Sequence, residues 1–182
     1  APSRLNLPNT LTVARLALVP VFAWLLLRDG GDDPASRIWS AVVFLALSFT
    51  DLVDGEIARR RGQVTSFGKI ADPIADKALM AAAMISLSLV GELFWWVTIV
   101  ILVREVGITL WRLFGVDHVV AASRGGKLKT VTQTVGLGML ILPLPHWVWP
   151  IEWAVIGVAL VLTVYTGIDY LVKARQAARS GL

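Results

Sequence analysis

The chain has 182 residues, of which 56% are hydrophobic and only 16% charged, with a mean hydropathy of +0.70. A soluble domain is about 45–50% apolar and about 25% charged, so this composition argues against a soluble globular fold and strongly against disorder. The formal net charge is +4 with a pI near 9.9, and there is no cysteine, which excludes disulfides, zinc–thiolate sites, iron–sulfur clusters and cysteine nucleophiles.

Six apolar segments follow one another. The first runs from about Leu11 to Leu27 and ends at the turn cluster Asp29–Pro34. It lacks a strongly basic start and a small-residue cleavage site, so a retained helix is expected rather than a signal peptide. The second runs from about Ile38 to Ala58 and closes on Arg59, Arg60 and Arg61. The third reaches from about Lys69 to Val90, and Gly91 and Glu92 link it to the fourth, Leu93 to Phe114. A polar stretch from Asp117 to Lys129 precedes the fifth, about Thr130 to Leu142, which is short and rich in Gly and Thr. Pro143, Pro145 and Pro150 bracket the turn to the sixth, about Ile151 to Val172, and Lys173, Arg175 and Arg179 make a basic tail. Crossing the hydrocarbon core takes ~20 apolar residues. The expectation is an all-α integral membrane protein with six transmembrane helices in one domain over residues 1–182.

The charges orient this bundle. With the N-terminus inside, the outer connections carry only Arg28 and Arg37 of the basic residues, Arg104 lies within the fourth span, and the rest fall on the inner side. Such a bias predicts both termini in the cytoplasm. Trp24, Trp39, Trp95, Trp96, Trp147, Trp149 and Trp153 all fall near outer ends of spans, as an interfacial belt would; Trp111 is the exception. The basic pI therefore needs no nucleic-acid partner. Anionic lipid or anionic substrate at the cytoplasmic face accounts for it.

Ionisable residues in spans are costly and mark function by default. Asp51, Asp54, Asp72, Asp76, Glu105 and Asp169 sit within or at the edges of spans. Asp51 and Asp54, then Asp72 and Asp76, have i,i+3 and i,i+4 spacings that put each pair on one helix face. A short inner loop joins their helices, so the two acidic faces can meet at the cytoplasmic side. Four carboxylates brought together repel one another and call for a cation. An all-oxygen set suits Mg²⁺ or Mn²⁺, and two ions bridged by carboxylates and a substrate phosphate suit phosphoryl chemistry. Gly55, Ala58 and Gly68 leave the same faces uncrowded, although Gly55 and Gly68 also fit simple helix packing. Arg59 is placed to meet an anion. Asp72-Pro73 also reads as a helix start. His118 and His146 lie in separate loops on opposite sides, where they face solvent or headgroups.

The segment from Asp51 reads D-x₂-D-G-x₂-A-R-x₈-G-x₃-D-x₃-D through Asp51, Asp54, Gly55, Ala58, Arg59, Gly68, Asp72 and Asp76. It resembles the signature of the CDP-alcohol phosphatidyltransferase family, whose fold also has six spans. The resemblance implies displacement of CMP from CDP-diacylglycerol by an alcohol, with a divalent metal. It implies Asp51, Asp54, Asp72 and Asp76 as metal ligands, Asp76 also as general base, and Gly55, Ala58, Arg59 and Gly68 along the CDP moiety. It also implies a homodimer; the charge bias puts the site at the cytoplasmic face of the inner membrane. The opening Asn6–Arg15, Arg104-Glu105, and Gly126–Thr130 resemble the branch that uses glycerol 3-phosphate. The dianionic phosphate of that acceptor needs cations, for which Arg104, Lys127 and Lys129 are candidates, with Arg124 behind them. Lys127 and Lys129 are explained as well by topology, and Arg104 by a pair with Glu105 or Asp169. Asn9, Thr10 and Thr12 either contact the nucleotide or cap the first helix. Inositol phosphate, phosphatidylglycerol or serine are the alternative acceptors. A divalent-cation transporter is the remote alternative, disfavoured because the acids lie near the interface and not the midplane.

Overall fold

The computed structural model describes residues 7–61, 66–114 and 124–180. Among them are six α-helices, two short 3₁₀ turns and no strand. The helices are α1 (Leu7–Leu27), α2 (Pro34–Arg61), α3 (Ser66–Leu89), α4 (Trp95–Phe114), α5 (Arg124–Ile141) and α6 (Trp149–Ser180). Each overlaps one of the apolar segments read from the sequence. Three candidate membrane spans occur among the described residues, Thr10–Gly31, Pro34–Asp54 and His146–Arg179. Each of α3, α4 and α5 carries three or more charged residues, which lowers its apolarity.

The boundaries differ from expectation where polar sequence continues a helix. α5 starts at Arg124 rather than Thr130, and Lys129 in its second turn is buried against Glu105. α6 continues to Ser180 because the basic tail is built of Ala, Arg, Lys and Gln, all good helix formers. Pro73 does not open α3. It lies two turns inside the helix, where it has no N–H for the carbonyl four residues back.

The chain divides into two compact units, Ala1–Leu93 with Leu140–Pro143, and Phe94–Met139 with Leu144–Leu182. In the first, α1, α2 and α3 pack on one another. Their buried positions recur at helical spacing: Thr12, Arg15, Phe22 and Leu26 on α1; Arg37, Ser40, Ala41, Phe44 and Leu47 on α2; Ala71, Ala75, Leu79, Ala83 and Leu87 on α3. The alanines of α3 let neighbouring backbones approach closely. Phe22 and Phe44 meet with ring centroids 5.7 Å apart in this core. These stripes are apolar through the middle; Thr12 and Arg15 make the N-terminal end of the α1 stripe polar, Arg37 and Ser40 the N-terminal end of the α2 stripe, and half-buried aspartates follow at the C-terminal end of α2 and the N-terminal end of α3.

The turn between α1 and α2 needs glycine. Gly31 has φ +83° and packs on Val90 so closely that a Cβ would come within 2.9 Å of it. Asp33 then caps α2 by accepting the Ser36 N–H at 3.1 Å and the Ser36 hydroxyl, with Pro34 as the first helical residue. These Ser36 donors, the hydroxyl first, hold the Asp33 carboxyl below its ordinary value. Arg37, expected only as one of the few outer charges, proves structural. Its guanidinium donates to the carbonyls of Leu140 and Ile141 and to Glu92 at 2.9 Å. Arg37→Met is expected to cost about 2–3 kcal/mol, the scale of charged hydrogen bonds left unmade. Thermal unfolding in detergent checks it, and an unchanged midpoint would contradict this role.

In the second unit, α4 packs on α6, and Gly136 of α5 lies against Ile156 of α6, where a Cβ would come within 2.8 Å. The buried stripes again turn polar at one end. They run Val97, Ile101, Glu105 and Ile108 on α4; Lys129, Gln133 and Leu137 on α5; and Ile156, Ala159, Thr163, Thr166 and Tyr170 on α6. The outward faces carry large apolar side chains, such as Val103, Val161 and Ile168, that suit a lipid surround.

Candidate functional site

The polar end of the first unit gathers the motif aspartates. Asp51 and Asp54 continue the buried stripe of α2 by one further turn. Asp72 and Asp76 begin that of α3. Opposite them, α1 presents Thr12 and Arg15, three residues apart and therefore on one face. The Arg15 guanidinium donates to Asp51 Oδ1 at 2.8 Å and to Asp54 Oδ2 at 3.3 Å. Arg15 is only 2% exposed. The Thr12 hydroxyl donates to Asp72 Oδ1. Three of the four motif carboxylates are thus held from a helix that lies outside the motif. Asp76 lies beside Lys77, 3.9 Å from its ammonium, and within electrostatic reach of Asp51.

This donor set matches a hard divalent cation in kind, since it is all oxygen and rich in negative charge. Among the described residues no three acidic or histidine side chains are already gathered around one ion-sized space. The arrangement is two paired faces, tethered by Arg15 and Thr12.

Thr12, one of the residues expected along the nucleotide, is placed on Asp72. Gly55, Ala58 and Arg59 lie on α2 and Gly68 on α3, at the same end as the aspartates, but their side chains lie outside the described residues. The same holds for Asn9 at the start of α1 and Arg124 at the start of α5, and His118 lies outside the described residues altogether. Arg15 was legible in the sequence only as an inner charge and as the last residue of the N-terminal motif. Its signal was the helical spacing from Thr12 through Arg15 to Phe22 and Leu26, which puts an arginine on a core stripe.

The second unit holds a separate polar cluster. Glu105, 3% exposed, accepts from Arg104 at 2.9 Å and from the Lys129 ammonium. Arg104 also donates to the Thr166 hydroxyl at 3.0 Å. Gly167 gives Arg104 its room, since a Cβ there would sit 3.1 Å from the arginine Cγ. Arg104 Nε and Gln133 Oε1 are buried with no hydrogen-bond partner among the described residues. Arg104 therefore pairs with Glu105, one of its two expected partners. Asp169 instead binds Lys173, 2.8 Å away one turn on. Lys127 and Lys129, grouped together in the sequence, diverge. Two residues apart on a helix they point roughly 200° apart, so Lys127 is exposed while Lys129 is buried.

Residues 5–165 match the family described as CDP-alcohol phosphatidyltransferase. A probable phosphatidylglycerophosphate synthase of Mycobacterium tuberculosis is 45% identical over 170 residues, covering 93% of this chain and 81% of that protein. A CDP-diacylglycerol–glycerol-3-phosphate 3-phosphatidyltransferase of Bacillus subtilis is 38% identical over 189 residues, covering 96% and 98%. The protein of the same name from Salmonella typhimurium is 37% identical over 179 residues, covering 93% and 95%.

Proposed function

The chain belongs to the CDP-alcohol phosphatidyltransferase family, and from that premise we propose that it transfers the phosphatidyl group of CDP-diacylglycerol to glycerol 3-phosphate, releasing CMP and phosphatidylglycerophosphate. The observation that carries the reading is the tethering of Asp51, Asp54 and Asp72 to one face of α1, in a chain whose relatives are named for this reaction.

Asp51, Asp54, Asp72 and Asp76 are the residues that would hold Mg²⁺ or Mn²⁺, two ions in our reading. When bound, such ions neutralise the pyrophosphate and the charge that develops on departing CMP. Asp76 takes the proton of the acceptor hydroxyl as that oxygen bonds to the phosphatidyl phosphorus and the bond from phosphorus to the CMP oxygen breaks. Phosphoryl transfer asks little covalent help from protein, so positioning carries much of the rest. Gly55, Ala58 and Gly68 keep the nucleotide's approach uncrowded, and Arg59 meets its phosphates, with Asn9 and Thr12 nearby on α1. Arg104, Lys127, Lys129 and Arg124 are our candidates for the acceptor phosphate.

We read all six helices as spans, with both termini and the aspartates at the cytoplasmic face of the inner membrane. The basic asymmetry supports this, as do the exposed Trp24, Trp39, Trp95, Trp96, Trp147 and Trp149 near the opposite helix ends. A homodimer completes the reading by family resemblance.

The test is CMP release by purified protein given CDP-diacylglycerol, Mg²⁺ and glycerol 3-phosphate, with inositol phosphate, phosphatidylglycerol and serine as competitors. Preference for a competitor, or no CMP from folded protein, would overturn the assignment. Burial separates the two lysines. Lys129→Met is expected to raise the KM for glycerol 3-phosphate at least about tenfold, the scale of one lost charged hydrogen bond. Lys127→Met, at an exposed position, should change it several-fold at most, and steady-state kinetics decides.

A further inference from the structure

We propose that Arg15 is the positioning residue of the acidic centre, and that its guanidinium clamps Asp51 to Asp54 and thereby sets the affinity of the site for divalent metal. The inference rests on the metal-site reading above and adds a residue from outside the motif.

Four observations carry it. Arg15 sits on the buried stripe of α1, so packing and not solvent decides where its side chain goes. Its two terminal nitrogens reach two different carboxylates, one helical turn apart on α2. Its Nε is buried with no partner, so among the described residues the hydrogen bonds of the guanidinium go to those two aspartates alone. Thr12, one turn earlier on the same face, fixes Asp72 in the same manner.

Arginine is suited to this task. Its guanidinium is planar, always charged, and presents donors in a rigid fork. A lysine ammonium is a point charge on a flexible stem and does not set the angle between two carboxylates. The clamp also leaves acceptor capacity for a cation. An ionised carboxylate has two oxygens and about four lone-pair sites, and Arg15 engages one oxygen of each. Asp51 Oδ2 and Asp54 Oδ1 are not used by it. Held in this way, two like charges on one helical turn are kept aligned before an ion arrives. Groups that orient metal-binding carboxylates from behind typically change metal affinity by about 10–100-fold when removed.

The opposite reading is that the guanidinium stands in the cation's place and competes with it. The two readings predict opposite signs. Mn²⁺ binding to the purified full-length protein in detergent, without lipid substrate, is measured by electron paramagnetic resonance for the native chain, Arg15→Lys and Arg15→Gln. Arg15→Lys keeps the charge and loses the fork; Arg15→Gln keeps a planar donor and loses the charge. The clamp predicts that both bind Mn²⁺ about 10–100-fold more weakly. It also predicts that the Mg²⁺ concentration for half-maximal CMP release rises by the same factor, while kcat at saturating Mg²⁺ stays within several-fold. A purely structural role would lower the metal-free unfolding midpoint without shifting the Mn²⁺ affinity of the folded fraction. Native or tighter Mn²⁺ binding in either folded variant overturns the proposal. Asp51→Asn run alongside separates the two levels. If the native chain binds no Mn²⁺, or Asp51→Asn binds it as well as the native chain does, the metal-site reading itself has failed.

Discussion

Asp76→Asn is expected to lower kcat by about 10²–10⁴-fold, the range for losing a positioned general base, while CDP-diacylglycerol binding changes only several-fold. The substitution is nearly isosteric, so α3 and its Ala71–Ala75 packing face should be undisturbed. It removes the acceptor of the hydroxyl proton and leaves Asp51 and Asp54 on Arg15 and Asp72 on Thr12. Single-turnover CMP release and equilibrium binding of the CDP-lipid, measured on the same preparation, separate the two effects. Retention of substantial turnover would move the base to another residue. Parallel loss of Mn²⁺ binding would show that Asp76 acts chiefly as a ligand.

Removal of divalent metal is the second large effect. Chelation is expected to reduce CMP release by at least about 10³-fold, since the several kcal/mol of charge stabilisation attributed to bound metal convert to that order of rate. Added Mg²⁺ or Mn²⁺ should restore it. The reason lies in the charge balance at the polar end of the first unit. Three of the four aspartates meet α1 side chains of which only Arg15 is cationic, Asp76 has Lys77 beside it, and a substrate pyrophosphate adds further negative charge. Full activity in excess chelator would remove the metal from the mechanism. Asp51→Asn and Asp54→Asn should each shift the Mg²⁺ requirement upward, and an unshifted requirement in both would place the ion elsewhere.

Much of this site is legible in the spacing of its acids. The i,i+3 and i,i+4 intervals place Asp51 with Asp54 and Asp72 with Asp76, and the described helices carry them at matching ends. The acidic pairs stand out because carboxylates are rare in apolar helices. Arg15, Arg37 and Glu105 are harder to read. Arg15 and Arg37 are charged residues near span ends, where topology explains them equally well, and Glu105 lies within the fourth span beside Arg104; each finds its meaning in a residue far along the chain: Asp51, Leu140 and Lys129 respectively. The divergence of Lys127 from Lys129 is legible in principle from helical spacing. It is hidden because the stretch Arg124–Lys129 reads as a polar loop until Glu105 supplies a buried partner that draws it into α5.

Six helices, their order, the membrane setting and the paired acidic faces follow from composition and period alone, because they depend on local backbone geometry and on the cost of placing charge in hydrocarbon. Which cation or hydroxyl answers each carboxylate does not follow from period. Helical spacing says which way a side chain points on its own helix and nothing of what stands opposite. Packing of α1 against α2 and α3 decided that Arg15 bridges Asp51 and Asp54 and that Thr12 holds Asp72. Packing within the second unit decided that Lys129 turns inward to Glu105 while Lys127 stays exposed.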